Sequence, residues 1–234
     1  MKIYGKNVAI EKLNSSDKIN KVYISNKFKD ENILSLIHKR NLTVKIIDNK
    51  ELDKMCKGLH QGIILEVEDV KTYDLEETLN QINTEYPLIV ILDHIEDPHN
   101  FGAIIRSSEA FGVDAIIIPN DRSVDITSTV VKVSVGTIEK MKIVKVVNLN
   151  NTIKKLKEYG YWIVGTDMNG TNYTDIDYKT KIAIVIGNEG KGISRLVSEN
   201  CDYLAKIPMK GTVNSLNASV ACGIFLSEIN RSRG

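Results

Sequence analysis

From Pro87 onward the chain repeats one alternation that leaves few folds open: a short run of Ile, Val and Leu, then a stretch with helical spacing. The apolar runs are LIVILD (88–93), DAIIIP (114–119), KIVKVV (142–147), YWIVGT (161–166), KIAIVIG (181–187) and YLAKIPM (203–209). Runs without polar alternation belong to strands buried on both faces. Strands of that kind separated by helices predict a parallel α/β sheet, whose ligands bind at the strand carboxyl ends. The helices are expected near 100–111, 125–135, 151–159, 192–200 and 215–230.

The front of the chain differs. Residues 1–68 carry three β-rich runs, INKVYIS (19–25), LTVKIID (42–48) and GIILEVE (62–68), with helical patterns KDENILSLIHKR and NKELDKMCKG between them. This reads as a compact βαβαβ unit, its second helix capped by Asp48 or Asn49 and ended by Gly58. Residues 69–86 are polar and end before Pro87, so they are expected to form a connector able to hold one helix. The expected organisation is a small domain over 1–68, the linker 69–86 and a larger domain over 87–234.

The net charge of +1 conceals an asymmetry. Residues 1–60 hold 13 Lys+Arg against 7 Asp+Glu, and residues 61–234 hold 18 against 23. A basic front suits a module that attracts phosphates, although a solvated lysine surface would look the same. Cys56, Cys201 and Cys222 are odd in number and lack CxxC spacing, which points to neither a disulfide framework nor a zinc site. His94 and His99 stand five apart without further His or Cys nearby, a poor zinc arrangement. His38 reads as a surface residue on a helix, and His60 lies in HQG at the end of the small domain. No apolar run approaches the roughly 18 residues needed to span a bilayer, and the start lacks a signal-peptide core, so a cytoplasmic protein with no membrane partner is expected.

Three loops follow buried strands. In LDHIEDPHNFGAIIRSSEAFG (92–112), the DPHN turn sets Asn100 at the sheet edge ahead of a helix with an apolar face of Phe101, Ile104, Ile105 and Phe111. Arg106 and Glu109 fall on another flank, where a plain i,i+3 ion pair is the simplest alternative. In IAIVIGNEGKGISR (182–195), three glycines permit close backbone approach, and Glu189 sits between two of them. This loop spells neither a phosphate P-loop nor GxGxxG, which argues against a dinucleotide-dependent oxidoreductase. In IPMKGTVNSLNASVACGIFLSE (207–228), Pro208 ends a strand, Ser215 or Asn214 can cap the last helix, and Leu216, Val220, Ile224 and Phe225 form an apolar stripe.

Taken in order, these three loops resemble the motifs of the SpoU family of RNA ribose 2′-O-methyltransferases, of the SPOUT superfamily. The DRS turn at 121–123 is similar to the subgroup acting on a guanosine of 23S rRNA. The resemblance implies an L30e-like α/β RNA-binding domain followed by a parallel-sheet SPOUT domain with a carboxyl-terminal trefoil knot. It implies S-adenosylmethionine as methyl donor, no metal, and a homodimer whose sites are completed across the knotted interface. Carried over by motif, Asn100, Arg106, Glu189, Ser215 and Asn217 match active-site positions, and Thr166, Gly187, Ile207 and Leu216 match the cofactor pocket. Arg106 is cast in the family as a base, but a guanidinium, protonated below about pH 12, is better suited to clamping a phosphate and stabilising charge on the 2′-oxygen. The implied partner is 23S rRNA, free or in a ribosomal precursor particle. A tRNA methyltransferase is the alternative within the family, and a non-catalytic RNA-binding or ribosome-assembly protein is the alternative outside it.

Overall fold

The computed structural model describes residues 1–56, 58–121, 123–134, 136–212 and 215–234. The chain divides into two units, Met1–Val70 with Ile126–Gly136, and Lys71–Asp125 with Thr137–Gly234. Among the described residues the strands form one sheet of four and one of seven.

The first unit opens with β1 (Lys2–Tyr4) and α1 (Lys6–Asn14), continues through β2 (Ile19–Ser25), α2 (Glu31–Lys39), β3 (Val44–Ile47) and α3 (Asn49–Met55), and ends with β4 (Ile63–Val67). The sheet order is β1-β4-β2-β3. Strands β2 and β3 are parallel across α2, as a crossover requires, whereas β4 lies antiparallel to both β2 and β1. The three-strand expectation therefore misses β1 and α1. Asp30 and Asp48 accept hydrogen bonds at the starts of α2 and α3, as Asx caps do. Helix α3 ends at Met55, with Cys56 as its cap, not at Gly58. A side chain at Gly58 would press within 2.5 Å of the Tyr4 hydroxyl, so close packing explains that glycine better than helix termination.

The second unit begins inside the stretch expected as a connector. Residues 69–86 hold β5 (Thr72–Tyr73) and α4 (Leu75–Gln81), and β5 is an edge strand of the large sheet. Then come β6 (Leu88–Asp93), α5 (Pro98–Ala110) and β7 (Ala115–Pro119). Helix α6 (Ser128–Ser134), expected over 125–135, falls in the segment grouped with the first unit; Val135 lies outside the described residues, as does Arg122 of the DRS turn. The chain continues through β8 (Ile143–Val146), α7 (Leu149–Glu158), β9 (Trp162–Asn172), β10 (Ile182–Gly187), α8 (Arg195–Glu199), β11 (Tyr203–Lys206) and α9 (Ala218–Arg233). Among the described residues no helix is long and apolar enough to cross a membrane.

The sheet order is β11-β9-β10-β6-β7-β8-β5, and every pairing is parallel. All residues of β6 and β7 are buried, as their unbroken apolar runs require. The chain proceeds outward in one direction from β6 through β7 to β8, then returns on the other side of β6 with β10 and β9. The switch point lies between β6 and β10, where Asp93 and Gly187 end their strands side by side. Such a point opens a crevice beyond the strand ends.

Candidate active site

Strand β9 is longer than its apolar run suggests because it is interrupted. Gly165 pairs with Leu204 of β11, yet the next pair is Thr171 with Ala205, so residues 166–170 leave the ladder. Gly170 permits the strands to rejoin closely: an added Cβ would lie 2.2 Å from the Leu204 carbonyl oxygen. The bulge turns Thr166, Asp167, Met168 and Asn169 into the wall of a cavity of about 410 Å³. The opposite walls come from Gly187–Gly192 after β10, from Ala205, Lys206 and Ile207, and from Ser215 and Leu216 ahead of α9. This volume falls within the roughly 300–1,000 Å³ usual for small-molecule sites.

The loop after β10 is held by its own side chains. Asn188 forms a backbone bridge with Gly192, accepts from Gly190 N through Oδ1 at 3.0 Å, and donates from Nδ2 to the His94 carbonyl at 3.0 Å. Gly187 makes the turn fit: a Cβ there would stand 2.2 Å from the Gly192 carbonyl carbon. Beneath the loop the Asp93 carboxylate is buried and takes two short bonds, from Ser194 N at 2.5 Å and from His94 Nδ1 at 2.5 Å. An ionised carboxylate only accepts, so Nδ1 carries the proton. His94 itself has φ +58, a conformation held by the bonds on both sides of it.

A second connection joins three distant segments. Asn217, the cap of α9, accepts from Ser219 N at 3.0 Å and Val220 N at 3.3 Å through Oδ1, and its Nδ2 donates to Asn100 Oδ1 at 2.8 Å. The buried Asn100 donates from Nδ2 to Glu189 Oε1. Helix N–H groups, which only donate, stand at one end, and a carboxylate, which only accepts, at the other. Both amide orientations follow from those two ends. The helix cap is therefore Asn217, in place of Ser215 or of Asn214, which lies outside the described residues.

The structure thus gathers Thr166, Gly187, Glu189, Ile207, Ser215 and Leu216 around one cavity and ties Asn100 and Asn217 to it through Glu189. Arg106 stands apart: it is exposed on α5, does not line the cavity, and makes no hydrogen bond or ion pair among the described residues. Nor does it pair with Glu109, whose carboxylate meets Lys140 Nζ at 3.4 Å. The stripe expected on α9 is corrected as well. Val220 is 50% exposed, while Ala218, Cys222, Phe225, Leu226 and Ile229 are buried, because that face packs on α5 and on Tyr173.

Sequence reasoning passed over Asp93 and Asn188. The signal for Asp93 was present, since a carboxylate closing an otherwise apolar strand is costly unless hydrogen-bonded. Burial pushes the Cys201 and Cys222 thiols up to about 12, as suits packed rather than reactive sulfurs. Among the described residues no cluster of three or more His, Cys, Asp or Glu could hold a metal ion.

The match to known proteins covers both units. Residues 87–227 match the SpoU rRNA Methylase family, and residues 2–73 match the family described as RNA 2′-O ribose methyltransferase substrate binding. A Bacillus subtilis (strain 168) protein provisionally named TrmH family tRNA/rRNA methyltransferase YacO is 40% identical over 99% of this chain and 95% of its own. The AdoMet-bound rRNA methyltransferase from Sinorhizobium meliloti superposes with TM-score 0.77 at 26% identity, covering 98% of this chain and 86% of that one. The SpoU methyltransferase AviRb from Streptomyces viridochromogenes gives TM-score 0.80 at 24% identity, over 100% and 89%, a likeness of fold. By these matches the chain belongs to the SpoU family of RNA ribose methyltransferases.

Proposed function

We propose that this chain transfers a methyl group from S-adenosylmethionine to the ribose 2′-hydroxyl of a guanosine in 23S rRNA. The observation that carries the reading is the convergence of the three motif loops on one cavity at the carboxyl ends of β9, β10 and β11. Its lining suits the cofactor. Ile186, Ile207, Leu216 and Phe225 offer apolar surface for a base, and the β9 bulge offers backbone groups released from the ladder. Asp167 and Glu189 can meet positive charge, while Lys191 and Lys206 can meet a carboxylate. Thr166, Gly187, Ile207 and Leu216 are assigned to hold the cofactor, which when bound supplies a methyl already activated as a sulfonium.

The remaining task is to place and deprotonate the ribose hydroxyl. Asn217 holds Asn100, Asn100 holds the Glu189 carboxylate, and Glu189 faces the cavity as the group best placed to take the proton. Ser215, exposed at the mouth, orients the ribose. Arg106 is assigned to the phosphate beside the target ribose, where its guanidinium stabilises charge on the 2′-oxygen. Arg106 is exposed and is not part of this cavity's lining, which fits a homodimer in which the arginine of one subunit completes the site of the other. The reading includes the trefoil knot of the family and a cytoplasmic setting, where the RNA is.

The name of the Sinorhizobium relative, an rRNA methyltransferase whose likeness covers both units, favours rRNA. The tRNA/rRNA naming of the Bacillus relative keeps tRNA as the second reading. The test is to supply labelled S-adenosylmethionine and the purified chain to total RNA from cells lacking it, then separate the RNA by size. Label in 23S rRNA is expected, label in tRNA selects the second reading, and no label in either, despite cofactor binding, points to a ribosomal precursor particle as substrate or to a silent RNA-binding role.

A further inference from the structure

A cavity of about 680 Å³ lies within the first unit and is bounded by the β2–α2 loop, the start of α1, helix α3 and the segment before β4. Its wall carries the sequence Lys27-Phe28-Lys29. Both lysines are exposed, and their ammonium groups make no hydrogen bond or ion pair among the described residues. The carboxylates nearby are occupied: Asp30 pairs with Lys6 Nζ at 2.8 Å, and Asp53 bonds His60 Nε2 at 2.9 Å. Two cations thus remain unneutralised beside a half-buried aromatic ring. Lys6 Nζ, its charge countered by Asp30, lies 5.6 Å from the Phe28 ring centroid.

The part of the lining from Leu59 to Gly62 is built to hold its shape. Gly62 N donates to His60 Nδ1 at 2.9 Å, so the ring proton is on Nε2 and donates to Asp53. That bonding holds the buried His60 ahead of Gln61 and Gly62, at φ +51 and +82, and Gln61 Oε1 accepts from Lys6 N at 2.9 Å. Gly62 suits the turn, since its φ of +82 would strain any other residue there. Beside it Leu59 is 77% exposed, a large apolar side chain left at the rim.

Unneutralised lysines flanking an aromatic ring, with an exposed leucine in the same lining, match the needs of a splayed nucleotide: stacking for the base and cations for its two phosphates. We infer that this cavity binds one unpaired nucleotide of the substrate RNA, its base on Phe28 and its flanking phosphates on Lys27 and Lys29. The inference rests on the reading of the chain as an RNA-modifying enzyme and names the place where the first unit grips that RNA. A duplex keeps its bases stacked and offers only phosphates, so it gains the lysine contacts without the ring.

The test uses the full chain and a fluorescent ten-nucleotide RNA of mixed sequence, single-stranded or as a blunt duplex, with binding read by anisotropy over a range of salt. Phe28→Ala is expected to weaken single-strand binding about 5- to 150-fold, the equivalent of one lost stacking contact, and to leave duplex binding unchanged. Lys27→Ala with Lys29→Ala, both at exposed positions and therefore safe for folding, is expected to reduce the salt slope for the single strand by about 1.4. An unchanged single-strand Kd in either variant overturns the inference, and so does an equal loss for duplex and single strand in Phe28→Ala. Methyl transfer by the unaltered chain is scored separately. Transfer with no binding defect in these variants removes this site and keeps the proposed activity, whereas the expected binding defects without transfer do the reverse.

Discussion

The hydrogen bonds running from α9 through Asn217 and Asn100 to Glu189 can be tested one atom at a time at position 217. Asn217→Ala removes the helix cap, worth about 1 kcal/mol within a range of about 0.5–2. It also removes the donor to the buried Asn100, worth about 0.5–1.5 kcal/mol. The expected loss is about 1.5–3 kcal/mol, or about 3–12 °C in melting temperature for a unit of this size. Asn217→Ser keeps a capping oxygen and should lose only the second part. Asn217→Asp is the decisive case. As a cap it equals Asn, and its charge gains about 0.3–1 kcal/mol from the helix dipole. Yet its carboxylate must face Asn100 Oδ1, and turning the Asn100 amide only moves the conflict to Glu189. An unsatisfied acceptor pair costs about 1–3 kcal/mol, so the variant should be less stable than the parent at neutral pH. Trp162 is the only tryptophan and lies on β9, so its fluorescence during thermal unfolding reports the second unit. If Asn217→Asp melts at or above the parent, the three side chains are not linked as described, and if the Ser and Ala variants melt together, the side chain at 217 does not cap α9.

Gly187→Ala drives a Cβ into the Gly192 backbone and should reduce S-adenosylmethionine affinity at least about tenfold with a stability loss of about 1–3 kcal/mol, measured by calorimetry and by denaturation. Arg106→Ala should lower methyl transfer about 10²–10³-fold with cofactor affinity and melting temperature unchanged, because the side chain is exposed and unbonded; near-parental turnover by Arg106→Lys would argue against its placement on the phosphate. Cys201 and Cys222, with thiols raised from 9.0 to about 12 by burial, should resist alkylation at pH 8 until the chain unfolds. Since the folded state holds these protons more tightly, their contribution to stability is intact below about pH 9 and is lost as pH rises toward about 12, which melting curves across that range will register.

The sheet was readable because strands buried on both faces cannot tolerate polar residues, and β6, β7 and β10 carry almost none. Strand β1 was not, because three residues, KIY, hold no period, and their pairing with β4 60 to 64 positions later leaves no local trace. The edge strand β5 has two residues and went unseen for the same reason. The interruption of β9 was hidden because nothing in 166–170 marks a bulge apart from Gly170. At the site, the residue types were legible from their loops, but their connections were not. Asn100 meets Glu189 across 89 positions and Asn217 across 117, distances at which periodicity carries no information. Glu109, near Arg106 by helical spacing, goes instead to Lys140.

The central claim is that the methyl group ends on a ribose oxygen, and alkaline hydrolysis of the labelled RNA tests this most directly. Base cleaves RNA through attack of the 2′-hydroxyl on the adjacent phosphate, so a 2′-O-methyl group leaves that one linkage intact. The account predicts label in an alkali-resistant dinucleotide that yields 2′-O-methylguanosine on enzymatic digestion. Label released wholly as mononucleotides, with the methyl on a base, would contradict it.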